Sequence, residues 1–121
     1  MILLAIIGIE NQLQDGSSLQ SLRAIDRAFL SFGKDGIARE QVHKLEVNRA
    51  RALAQLGKFK ESEEILLDQL LGAKEFANLP SVLITLGKIN VQVLKYNEAQ
   101  KYLEEALTYD QQNHQALALL G

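Results

Sequence analysis

Leu83-Ile84-Thr85-Leu86-Gly87 returns farther along the chain as Leu117-Ala118-Leu119-Leu120-Gly121, so that Leu83, Leu86 and Gly87 fall on Leu117, Leu120 and Gly121. A fixed interval of this length marks one supersecondary unit copied along the chain. Inside the interval, Gly87 is followed by Ala99, and then by Leu103 and Ala106. This small-large-small series at helical spacing predicts a second helix beside the first. A helical hairpin of this size hides its apolar side only by stacking on a neighbour.

A large apolar residue, two spacers and Leu-Gly, followed by Ala99, Leu103 and Ala106, resembles the tetratricopeptide repeat. The resemblance implies an all-α fold. It would be a right-handed superhelix of antiparallel helix pairs, a solenoid of about seven helices forming one domain over residues 1–121. Repeats are expected at about 1–35, 36–78 and 79–112, with a partial fourth at 113–121. In the first, Leu4, Ile7, Gly8 and Asn11 repeat the spacing of Leu83, Leu86, Gly87 and Asn90, but Ser21 follows Gly8 one position later than Ala99 follows Gly87. In the second, Ala50 stands for Gly87, Gly57-Lys58-Phe59 is the turn, and Ser62, Leu66 and Gln69 take the small-large-small places. Glu46 and Arg49 depart from the family there, where large apolar residues belong. The second helix of this unit is expected to overrun to about Ala77, and Asn78-Leu79-Pro80 to restart the pattern with helices at about 79–94 and 97–109.

Turn and cap signals set the other boundaries. Asp15-Gly16-Ser17-Ser18 predicts a turn with Ser17 or Ser18 capping the next helix, which runs to about Phe32. Gly33-Lys34-Asp35-Gly36 is the clearest break, with Asp35 as the expected cap of a long helix from about Ile37 to Leu56.

The 121 residues support a modest core, and a net charge of −2 with a pI of about 5.7 argues against nucleic acid as the main partner. No cysteine is present, which excludes a disulfide framework, a thiol nucleophile and a cysteine-based zinc site. The apolar opening, Met1 to Ile9, lacks preceding basic residues and a small-residue cleavage site, and is too short to span a bilayer. A buried helix is the expectation there, with no membrane partner and a cytoplasmic location. Leu117, Leu119 and Leu120 are similarly apolar at the other end. These terminal helices suit either an excised segment of a longer solenoid or self-association with another chain.

Catalysis draws little support, so no enzyme activity, cofactor or metal is expected. His43 and His114 lie far apart in the chain with no local nucleophile–base arrangement, and each reads as a solvated or helix-end histidine. Gly33-Lys34-Asp35-Gly36 lacks the spacing of a phosphate loop. Glu61, Glu63, Glu64 and Asp68 read as a solvated helix face, and Glu98–Lys101 and Lys101–Glu105 as surface pairs.

In tetratricopeptide solenoids the first helix of each unit lines a concave surface. The resemblance therefore implies an exposed set of Lys44, Val47, Asn48 and Arg51 in the second repeat. In the third it implies Ser81, Ile84, Thr85 and Lys88, with Val91 and Gln92 one turn on. Of these, Lys44, Asn48, Arg51, Ile84, Thr85, Lys88 and Gln92 are the candidate peptide-binding residues. Such a floor suits a protein or peptide ligand with acidic groups. The corresponding positions of the first repeat, Ile2, Ala5, Ile6 and Ile9, would be apolar. A subclass of the family grips acidic chaperone tails through a Lys/Asn/Arg clamp, but only Asn48 matches it. Ala5, Ile9, Ser81 and Thr85 stand where its other members belong. The implied role is a non-catalytic scaffold or adaptor. The alternatives are a sensor or regulatory segment of a larger signalling or transcription-regulating protein, and an assembly or secretion chaperone.

Overall fold

The computed structural model describes residues 2–121, and these are all-α. Among the described residues, eight α-helices run in order: α1 Ile2–Gln14, α2 Ser18–Phe32, α3 Arg39–Gln55, α4 Phe59–Asp68, α5 Leu70–Glu75, α6 Leu79–Gln92, α7 Tyr96–Tyr109 and α8 His114–Leu120. A 3-10 turn, Lys34–Gly36, precedes α3. The chain divides into two compact units, Met1–Gln69 and Leu70–Gly121.

The eighth helix arises because the expected overrun is interrupted. At Gln69 (φ −93°, ψ 0°) the backbone N–H is shared between the carbonyls of Ile65 and Leu66, each 3.1 Å away. That tightening ends α4, and α5 begins immediately after it. The break also divides the stretch expected as the second repeat.

Four turns share one form, one of them at Ala77 (φ +61°) between α5 and α6, where Asn78 N–H reaches the Ala73 carbonyl at 3.0 Å. Gly16, Gly57 and Leu94 all take left-handed φ values, +80°, +81° and +64°. In each, the next residue's N–H reaches back a full turn and more: Ser17 to Gln12 at 2.8 Å, Lys58 to Leu53 at 2.9 Å, Lys95 to Asn90 at 2.8 Å. These bonds satisfy carbonyls left over at the helix end. At one common spacing beyond the left-handed positions stand Ser21, Ser62 and Ala99, all buried. Ile25, Leu66 and Leu103 follow one turn on, also buried.

Counting from this turn corrects the register of the first repeat. Ala50 precedes Gly57, and Gly87 precedes Leu94, by the same interval that separates Ile9, not Gly8, from Gly16. Ile9 is buried, whereas Gly8 is exposed with no atom within 4 Å of where a Cβ would sit. The glycine match in the sequence therefore does not mark a close helix approach in α1. The same shift buries Ile6 and Ile9, expected on an open surface, and exposes Leu3, Leu4 and Ile7 instead. The opening helix is thus buried along one face only.

In the first unit, Ile6, Ile9, Leu13, Ile25, Ala28, Ile37, Leu45 and Ala52 form one core shared by α1, α2 and α3. Polar side chains add to it. Gln55 Nε2 donates to the Leu13 carbonyl at 3.0 Å, and the Ser18 hydroxyl donates to Gln55 Oε1. Ser62 Oγ donates to the Ala50 carbonyl at 2.6 Å, tying α4 to α3. Arg49 explains how this repeat does without two apolar residues. Its guanidinium bonds Glu46 at 2.9 Å and Asp26 at 3.2 Å, and lies 5.2 Å from the centre of the Phe29 ring. Charge and ring therefore hold α3 to α2 where apolar side chains are expected.

In the second unit α6 packs chiefly on α7, with α5 and α8 beside them. Gly87 permits the closest approach: a Cβ there would sit 2.6 Å from Leu103 Cδ2 and 2.7 Å from its Cγ. Before α6, the N-cap is Asn78 with Pro80 in the first turn, as the sequence leads one to expect, but no side-chain cap bond forms. Neither Ser17 nor Ala38, the N-caps of α2 and α3, makes one either, and Asp35 sits in the 3-10 turn instead. At α8 a side chain does cap the helix, with Asn113 Oδ1 accepting from Ala116 N–H at 3.0 Å. The surface pairs expected at Lys101 do not form among the described residues; Gln100 bonds Glu104 instead.

Candidate functional site

On α3, Lys44, Asn48 and Arg51 recur at spacings of four and three, which places them along one side of a helix. Lys44 is half-buried, with Nζ 3.9 Å from Glu40 one turn back. Asn48 is 2% exposed, so it is not the open residue its repeat position implies. Arg51, also half-buried, donates from Nη1 to Asn48 Oδ1 at 3.2 Å. Asn48 Nδ2 is buried and has no hydrogen-bond partner. An unmade donor in a buried site costs about 1–3 kcal/mol. The two donors, the Asn48 amide and the Arg51 guanidinium, come together at one place on the helix.

On α6, Thr85 is half-buried and donates its hydroxyl to the Ser81 carbonyl at 3.0 Å, so its side chain is engaged with its own helix. Lys88 and Gln92 are exposed on the following turns, and Lys88 takes part in a polar interaction. Ile84 is buried. It is a packing residue, placed before Leu94 as Val47 is before Gly57 and Ile6 before Gly16. All three are buried. Within its own unit, each of the helices α3 and α6 thus presents polar or charged side chains next to a buried aliphatic position.

The two histidines differ. His114 is exposed at the start of α8, but His43 is only 3% exposed, with Nδ1 2.8 Å from Gln69 Oε1. The reading of His43 as a solvated residue is therefore corrected. It is a buried polar tie between α3 and the end of α4. The sequence carries little sign of this, because the helix is read from its apolar positions and a histidine among Gln41, Lys44 and Glu46 looks like part of a wet face. Among the described residues no cluster of three His, Asp or Glu side chains could hold a metal ion. No helix among them is long and apolar enough to cross a membrane.

The interval from Pro80 to Asn113 contains α6, the left-handed turn at Leu94 and α7, with Gly87 fitted against Leu103. The same interval, residues 80–113, matches the family model for the tetratricopeptide repeat. Over these residues the chain is similar to a tetratricopeptide repeat. No curated protein and no solved structure matches the chain. The tetratricopeptide repeat points to a general role in protein interaction, and the family is typically a non-catalytic scaffold.

Proposed function

We propose that this chain is a non-catalytic binding scaffold in which the exposed faces of α3 and of α6, each within its own unit, hold extended or helical peptides bearing acidic groups. One observation carries the reading: the Arg51 guanidinium is partly open on α3, bonded to Asn48 Oδ1 and, among the described residues, to no carboxylate. A ligand carboxylate there would accept from the half-buried Arg51 guanidinium in a charge-assisted bond. On α6, Lys88 and Gln92 supply a cation and an amide of the same kind on the exposed side of the repeat.

The test uses short fluorescent peptides, acidic, neutral and basic. Acidic ones bind, their affinity falls as salt rises, and Arg51→Glu and Lys88→Glu each weaken them about tenfold. Binding left intact by both reversals together would remove the reading. A chaperone role for apolar client segments is favoured by Leu3, Leu4 and Ile7, which stand exposed on α1. It predicts the opposite salt response, with apolar peptides bound as tightly at high ionic strength.

A further inference from the structure

A notch of about 280 Å³ opens between α1 and α2, lined by Ala5, Gly8 and Gln12 from α1 and Ala24, Arg27 and Ser31 from α2. Three features leave it incomplete. Nothing lies within 4 Å of a Cβ on Gly8. Gln12 Oε1 is buried with no hydrogen-bond partner. Arg27 is exposed and makes no ion pair or hydrogen bond among the described residues.

The hairpins of the same chain show what such a place does. Counted from the left-handed residue of each turn, Gly8 before Gly16 corresponds to Arg49 before Gly57 and to Leu86 before Leu94. Arg49 is the residue that reaches the preceding helix, touching Asp26 and Phe29 of α2. In the first hairpin the equivalent residue is a glycine, so α1 has no side chain there to meet an incoming helix. Charge at the rim is reversed as well. Arg27 stands as far beyond Gly16 as Asp68 stands beyond Gly57 and Glu105 beyond Leu94.

We infer that the α1–α2 notch is a second docking surface, taking a helix from a partner protein that lies on α1 and α2 as α2 lies on α3. The helix carries a large apolar residue over Gly8 and a carboxylate for Arg27. The Asp26–Arg49 and Phe29–Arg49 contacts of this chain supply the pattern, and the unpaired cation sets the sign of the partner. This surface is separate from the α3 and α6 side chains proposed above for peptide binding.

The test is selection of binders from a displayed library of amphipathic helices against the 121-residue chain. A Cβ on Gly8 meets nothing within 4 Å, and Gly8→Leu removes a glycine from a helix interior, so the variant is expected to keep or gain thermal stability. Expected binders carry an acidic residue beside a large apolar one, and lose about tenfold or more in affinity on Gly8→Leu and on Arg27→Glu. Replacing their carboxylate by Lys restores binding to Arg27→Glu. Arg51→Glu leaves them unchanged, so failure of the peptide reading and failure of this one are told apart. Binders indifferent to Gly8→Leu, or no binders at all, would overturn the proposal. So would a chain that self-associates by sedimentation and is made monomeric by Gly8→Leu, since the occupant would then be a second copy.

Discussion

Gly87 and Leu103 meet so closely that a methyl group on the glycine would enter the leucine side chain, 2.6 Å from Cδ2. Leu103 is itself fully buried, so moving it aside disturbs its other neighbours. Gly87→Ala is therefore expected to destabilise the chain by about 1–3 kcal/mol through overpacking, despite the better helix propensity of alanine. Urea unfolding measures the loss. In a Leu103→Ala background, itself destabilised, the added cost of Gly87→Ala should shrink, because the two side chains then no longer compete for one space. The same substitution at Gly8, where the space is open, should be neutral or stabilising.

Leu94 is 70% exposed and holds a left-handed backbone at φ +64°. A side chain in that conformation costs about 1–2 kcal/mol, a gain on changing to glycine that the freer unfolded chain partly offsets. Leu94→Gly should raise stability by about 0.5–1 kcal/mol, visible as a higher melting temperature. A lower one would mean that the leucine makes contacts worth more than the strain.

The two histidines separate cleanly. His43→Ala removes a buried ring and leaves Gln69 Oε1 without its 2.8 Å partner, so a loss of about 2 kcal/mol or more is expected. His114→Ala, at an exposed helix start, should stay within about 0.5 kcal/mol of the parent. Amide exchange in α4 should quicken for the first variant and not for the second.

Arg49 joins three groups of modest individual strength. Asp26 is well exposed, so that pair contributes little, while the Phe29 ring contact adds about 0.5–1 kcal/mol. Arg49→Ala should cost about 1–2 kcal/mol, and Arg49→Met less, because a long apolar stem keeps the packing. Added salt should close little of the gap between Arg49→Met and the parent. A gap that vanishes at high salt would assign the interface to charge alone.

Much of the fold is legible in the sequence because apolar spacing and turn residues agree over α6 and α7, where Leu83, Leu86, Gly87, Ala99 and Leu103 lie at family intervals. The first repeat, read from its letters, falls one residue out of register. Gly8 offers a letter match, but the register is set by the turn at Gly16, which counts back to Ile9. The break at Gln69 has no glycine or proline at its corner to announce it. The candidate site is harder to read. Periodicity places Asn48 and Ile84 on a helix side, but whether that side is open depends on what packs beside it, and both are buried. That Gln12 and Asn48 each leave a buried atom unpaired is a matter of local packing, invisible in composition or spacing.

The bend after α6 has the same donors and acceptors as the bends after α1 and α3, though a bulky residue sits at its apex in place of glycine. What two copies of such a hairpin must keep in common is thus a pair of closing bonds, and the letter at the corner is free to wander.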